Sequence, residues 1–169
     1  RLSKNGGMKA NKHKYQEEYE KTSGLFWDNK PAKYVRLFTN EINNKVKGIK
    51  VLDLGAGEGK NAVYLANLGA EVTAVDISSI ALSKFLLQPN YESSKHKIEI
   101  INEDILTTDF EEFRFDVVIA YGILHCLSNH QQIAWMINKI KKWIKQGGYF
   151  IGATFTNKIP PPSFQNYLE

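Results

Sequence analysis

Short apolar runs and longer amphipathic stretches alternate along this chain. From Tyr15 to Ile42, aromatic and aliphatic residues such as Tyr19, Phe26, Trp27, Tyr34, Val35 and Phe38 recur at mostly helical intervals. The pattern breaks at Ser23-Gly24 and at Pro31, which predicts two helices joined by a turn. After Gly48 the pattern changes. Five runs, IKVLDL from 49, AEVTAVD from 70, KIEII from 97, FDVVIAY from 115 and GYFIGATF from 148, are short, rich in Val and Ile, and closed by polar or glycine turns, as buried strands are. Helical patterns lie between them. KNAVYLANLG ends on Gly69 as a C-terminal cap, and SSIALSKFLLQ opens with Ser78 as N-cap and stops before Pro89. HQQIAWMINKIKKWIKQGG puts Ile133, Met136, Ile137, Ile140 and Ile144 on one face and closes with Gly147 and Gly148. Alternating β and α units with short loops imply an α/β fold: a doubly wound, mostly parallel sheet with helices on both faces.

A length of 169 residues with 43% hydrophobic content suits one core and one domain. Residues 1–7 read as a cloning scar, because Met8 follows a Gly-Gly pair and no structural pattern precedes it. The domain then runs over 8–169: a helical lid over 15–47, a ligand-binding core over 48–156, and a loop over 157–169 set by the prolines of KIPPPSF. A net charge of +4, dispersed along the chain, does not by itself indicate a nucleic-acid partner. The single cysteine, Cys126, allows no internal disulfide and no CxxC metal site, which fits a reducing cytoplasm. No apolar stretch approaches the roughly 20 residues that span a bilayer, and the start lacks the apolar core of a signal peptide. A soluble cytoplasmic protein without a membrane partner is expected. His13, His96, His125 and His130 have no paired ligand spacing, so no metal is expected.

The chemistry concentrates in VLDLGAGEGKNAVYLA, residues 51–66, where an apolar run meets a glycine loop that opens into a helix. Such a junction at the carboxyl end of a first parallel strand is where open α/β sheets bind ligands. A dinucleotide fingerprint reads GxGxxG; here the spacing is GxGxG, with Asp53 two residues before the first glycine. A pyrophosphate on a helix N-terminus gives no reason for a carboxylate beneath it, whereas a cationic amino group would favour one. Asp76 ends the second strand, placed to accept hydrogen bonds from two ribose hydroxyls, and Asp104 follows the third at the same sheet edge. Ile77 and Ile105 are apolar neighbours able to sandwich a flat base. Together these describe an adenosine with a charged amino-acid tail.

On these residues the chain resembles the class I S-adenosylmethionine-dependent methyltransferases. DLGAGEG is similar to that family's first motif, VDIS to its ribose acid, EDI to its adenine acid and FDVVIAYGILHCL to its fourth-strand motif, over Ile49 to about Phe155. GLFWDNKPAKYV resembles the Trp-x-x-x-Pro segment of small-molecule and tellurite-resistance-type members. The resemblance implies a Rossmann-like fold, two N-terminal helices over the cofactor edge, and S-adenosylmethionine as cofactor. It implies that Gly55, Ala56 and Gly57 let the backbone approach the methionyl and ribose parts while Asp53 orients the amino group. Asp76 would hold the ribose and Asp104 the adenine amino group, with Ile77 and the Ile105 amide beside the ring. Ala120 and Tyr121 would lie nearest the transferred methyl, with the acceptor above them.

Plainer roles compete at each position. Gly59 serves the loop or only helix packing; Asp53 is a loop-stabilising acceptor, Asp76 a helix cap beside Ser78, Asp104 a turn carboxylate. His125 follows the fourth strand as a general base or as a helix-start residue. Tyr121 shapes an acceptor pocket or simply packs. Lys139, Lys141, Lys142 and Lys145 are the wet side of a helix before they are an RNA footprint. The expected activity is methyl transfer to a small molecule by in-line displacement. The rivals are an RNA or protein methyltransferase and a non-catalytic binding domain. AYGI stands at the fourth strand where amino-methylating base enzymes carry Asn/Asp-Pro-Pro-Tyr/Phe, so a nucleic-acid acceptor is not expected. The family's terminal antiparallel strand pair has no counterpart before the chain stops at SFQNYLE, which leaves a fifth-strand edge for another molecule, such as a second copy, to cover.

Overall fold

The computed structural model describes residues 15–43 and 45–154. The scar expected at 1–7 and the Pro-rich loop expected at 157–169 lie outside them. Five strands form one parallel sheet: β1 (Lys50–Leu54), β2 (Glu71–Asp76), β3 (Ile98–Asn102), β4 (Phe115–Tyr121) and β5 (Ile144–Ala153). Their order is β3-β2-β1-β4-β5, so the chain winds outward from β1 in one direction, then returns to its other side. The crevice between the two halves therefore opens above β1 and β4, at the end that carries the glycine loop.

Alternation along the strands sorts the core into two layers. Val51, Val72, Ala74, Val117 and Ile119 pack with α2 (Lys33–Glu41) and α3 (Lys60–Asn67) on one face. Leu52, Leu54, Val75, Val118 and Ala120 pack with Met136, Ile140 and Trp143 of α6 (His130–Trp143) on the other. By the same alternation Asp53, Asp76 and Tyr121 belong to the α2/α3 face. The first helix, α1, covers residues 15–21. It brings Tyr19 over the glycine loop, while α2 reaches β5 through a Phe38–Tyr149 ring contact at 5.1 Å and β4 through Tyr34–Tyr121 at 6.4 Å.

Two helix boundaries differ from the sequence pattern. SSIALSKFLLQ forms α4 (Ser79–Ser83), capped as expected by the Ser78 hydroxyl accepting from Ala81 N–H, but it tightens into a 3-10 turn over Lys84–Leu87 before a short α5 (Tyr91–Ser94). The turn sets Phe85 against the glycine loop. The long C-terminal helix ends at Trp143, not at the glycines. Ile144, expected on its apolar face, pairs with Phe115 as the first residue of β5, and the register shifts between Phe115 and Val117. Gly147, at φ +78°, lies within that irregular stretch. Beyond it β5 is an edge strand of the described sheet, with Tyr149 and Phe150 exposed. Among the described residues no helix is long and apolar enough to cross a membrane.

Candidate functional site

The loop after β1 is shaped by its neighbours' carbonyls and by one carboxylate. Gly55 N–H and Ala56 N–H both donate to Val75 O, at 2.8 and 3.0 Å, and Gly57 N–H donates to Asp76 Oδ2 at 2.8 Å. These bonds fold the loop back over the tip of β2. Gly55 takes φ +69° and Gly57 φ +56°, backbone that side chains rarely adopt. A Cβ on Gly55 would stand 2.8 Å from Ile123 Cγ1, and one on Gly57 3.2 Å from the Tyr19 hydroxyl. Gly59 makes room for a different neighbour from the strand expected in its packing alternative: a Cβ there would meet the Phe85 ring at 2.5 Å, so this glycine admits the turn after α4.

Asp53 lies beneath the loop, 1% exposed, and its Oδ2 is buried with no hydrogen-bond partner among the described residues. Burial, and then the charge of Asp76, push its carboxyl up to about 7. A buried carboxylate oxygen left without a donor is expensive unless a ligand supplies one. This arrangement fits an ammonium group, which donates and carries the opposite charge.

Asp76 holds backbone on both sides, in the glycine loop and after β2, which is close to its plainer, capping alternative. Besides holding Gly57, its Oδ1 accepts Ser78 N–H at 2.8 Å. Burial raises its pKa, with the backbone bonds from Ser78 and Gly57 opposing. An ionised carboxylate offers about four acceptor positions, so these bonds do not exhaust it. Ile77, half-buried, follows it. Asp104 likewise has a turn role: Oδ1 accepts Leu106 N–H at 2.9 Å, which leaves Oδ2 for a ligand amino group. Ile105 is 2% exposed and packs in the α6-side core.

The tip of β4 divides Ala120 from Tyr121. Ala120 is fully buried on the α6 side, and Tyr121 stands half-buried under α2, where burial and then Tyr34 raise its phenol pKa. Across the tip, His125 sits in the 3-10 turn Leu124–Cys126, and burial lowers its pKa below 6.5, so it is neutral at pH 7. A groove at the opposite, amino-terminal ends of the strands is lined by Lys50, Glu71, Thr73, His96 and Arg114 among others, and Asp53, Asp76, Asp104, Tyr121 and His125 lie outside it.

A family model described as a methyltransferase domain matches residues 51–148, more than half of the chain. The chain belongs to the class I S-adenosylmethionine-dependent methyltransferases. Among its methyltransferase relatives, the "Probable S-adenosyl-L-methionine-dependent methyltransferase TehB" of Haemophilus influenzae is 30% identical over 67% of this chain, which spans only 39% of that protein's length. The ubiquinone biosynthesis O-methyltransferase of Glaesserella parasuis is 28% identical over 89% of this chain and 74% of its own. In structure, the Burkholderia thailandensis 1,6-didemethyltoxoflavin-N1-methyltransferase, solved with its substrate and S-adenosylhomocysteine, superposes with a TM-score of 0.72 at 18% identity over 95% of this chain and 69% of that one. The last likeness shows the methyltransferase fold.

Sequence reasoning does not single out Glu58 and Lys84 for a role. Glu58 is 2% and Lys84 7% exposed, and they form an ion pair at 3.3 Å beside the loop. The signal is present: a carboxylate wedged between two glycines, and a lysine beside Phe85 in a helix pattern whose neighbours are apolar. Tyr19 and Trp27 read in the sequence as core or lid residues, with contact to the acceptor as the alternative; the structure joins them by a bond from the indole N–H to the phenol oxygen at 3.2 Å, over Gly57.

Proposed function

We propose that this chain transfers a methyl group from S-adenosylmethionine to a small-molecule acceptor. The observation that carries the reading is Asp53: a buried carboxylate oxygen without a donor, under a glycine loop, in a chain of this family. When bound, S-adenosylmethionine supplies a methyl group already activated by its positive sulfur. In this reading Asp53 takes the ammonium, the free positions of Asp76 take ribose hydroxyls, and Asp104 Oδ2 takes the adenine amino group beside Ile77 and the Ile105 amide. Gly55, Ala56 and Gly57 allow close backbone approach. Tyr121 borders the space for the acceptor, whereas Ala120, expected beside it, is fully buried in the α6-side core and offers that space no surface; the chain's task there is to align the nucleophilic atom and exclude water, and such orientation accounts for about 7–11 kcal/mol of a barrier in favourable cases. The Glaesserella relative, named for a role in ubiquinone biosynthesis, supports a small acceptor. A cytoplasmic location is part of the same reading, supported by the lone buried thiol of Cys126.

Calorimetry with S-adenosylmethionine and S-adenosylhomocysteine, followed by a methyl-transfer screen over hydroxylated, amino and thiol small molecules, tests this. Binding with turnover on a small molecule is expected. Binding with turnover only on RNA or protein, binding without turnover, or no binding each counts against it. His125, neutral at pH 7, is expected to accept the proton from acceptors that are protonated in solution. His125→Asn should then lower kcat about 100-fold for such acceptors and little for an unprotonated amine; equal losses for both would remove the base role.

A further inference from the structure

Glu58 and Lys84 form a buried cluster that the transfer chemistry does not use. Glu58 Oε1 accepts Phe26 N–H at 2.9 Å and Oε2 accepts Trp27 N–H at 2.8 Å. Lys84 Nζ donates to Thr22 O at 2.9 Å and Gly24 O at 2.8 Å, and forms an ion pair with Glu58 Oε1 at 3.3 Å, so two carbonyls and one carboxylate surround the buried ammonium. The Gln88 side-chain amide donates to Glu58 O at 2.9 Å and ties the turn after α4 to the same point. Further along, Asn61 Oδ1 accepts Ala32 N–H at 2.8 Å and Lys60 pairs with Asp28 at 3.5 Å. Thus the strip 22–32 is held by side chains of residues 58–61, which are the glycine loop and the first turn of α3, together with Lys84.

A buried ion pair is weak evidence for net stability, since desolvating both charges offsets their attraction. What this pair does select is geometry: its donors and acceptors match backbone groups of one strip and no others among the described residues. The strip in turn carries Trp27, bonded to Tyr19 over Gly57. We propose that Glu58 and Lys84 are positioning residues that clamp the strip 22–27 onto the glycine loop and, through it, hold the loop in its bent, ligand-ready shape. The consequence for cofactor affinity rests on the methyl-donor reading; the clamp itself does not.

Hydrogen exchange on the full chain, free of ligand, tests the clamp. Glu58→Gln and Lys84→Met should each speed exchange of amides in 22–32 and 55–61 together, roughly tenfold or more, while β4 amides keep their protection. Unchanged strip exchange, a loosened strip over an unaltered loop, or equal loosening of β4 would overturn the proposal, the last because it marks a general loss of fold. Should either variant not fold, native-state exchange of the unmutated chain in low urea decides instead: strip and loop are expected to open as one unit before the sheet, and separate opening counts against the clamp. In the folded variants the Kd for S-adenosylhomocysteine should rise about tenfold. An unchanged Kd overturns the ligand-ready part of the proposal. If the unmutated protein binds no S-adenosylhomocysteine, the methyl-donor reading fails and the exchange result still judges the clamp.

Discussion

Replacing Asp53 with asparagine is expected to stabilise the ligand-free protein and to weaken its hold on the methyl donor at least 100-fold. The two effects have one cause. An ordinary aspartate titrates at 3.8, and burial with the Asp76 charge lifts Asp53 to about 7. Between those values the folded chain keeps a proton that the unfolded chain has released, so stability falls as pH rises through the window. The penalty is absent near pH 4 and complete above pH 7, where the gap between 3.8 and about 7 corresponds to a cost on the order of 4 kcal/mol. Asparagine carries no charge to desolvate but brings an amide that needs its own acceptor, so a gain of about 1–3 kcal/mol at pH 8, shrinking to nothing near pH 4, is the expected balance. Urea titrations at the two pH values measure it. A cationic amino group favours the ionised carboxylate, so binding below pH 7 expels a proton. Affinity should climb from pH 5.5 to 7 in the unmutated protein and stay flat over that range in the variant. A variant less stable at pH 8 that binds as tightly as its parent would remove Asp53 from this role.

The strand tips were legible because buried parallel strands have a plain signature. FDVVIAY coincides with β4 residue for residue, and Asp53, Asp76 and Asp104 fall in or just beyond the carboxyl ends of β1, β2 and β3, as their place after each apolar run predicts. The boundary of α6 was not legible. Ile144 continues the apolar stripe of Met136 and Ile140, and only pairing with Phe115 turns it into a strand residue, a long-range contact that overrides local periodicity. Glu58 and Lys84 were hidden for a related reason. Their partners are backbone groups of the strip 22–27, and a backbone N–H or carbonyl leaves no mark in a sequence. Asp76 shows a further limit. Residue type and position nominated it for ribose and for capping as alternatives, whereas its two oxygens bond Gly57 and Ser78 at once and keep free positions.

Gly55→Ala is expected to disrupt the site and the fold together, because the position is constrained twice. Its φ of +69° costs an L-residue about 1–2 kcal/mol, and the added Cβ would stand 2.8–2.9 Å from Cγ1, Cβ and Cδ1 of Ile123. An isoleucine Cβ cannot swing aside as the end of a lysine can, so the backbone after β4 must move, at a further cost of about 1–3 kcal/mol. That backbone leads into the turn carrying His125. The substitution should therefore lower stability by about 2–5 kcal/mol and, where the chain still folds, reduce donor affinity more than tenfold. Ile123→Ala added to Gly55→Ala separates the two constraints. It removes the collision and leaves the dihedral penalty, so the double variant should regain part of the stability lost by the single one despite the cavity it opens. If Gly55→Ala proves as stable as its parent, or the double variant is less stable by the sum of both single effects, the β1 and β4 tips are not in contact through these two residues, and the common crevice over β1 and β4 loses one wall.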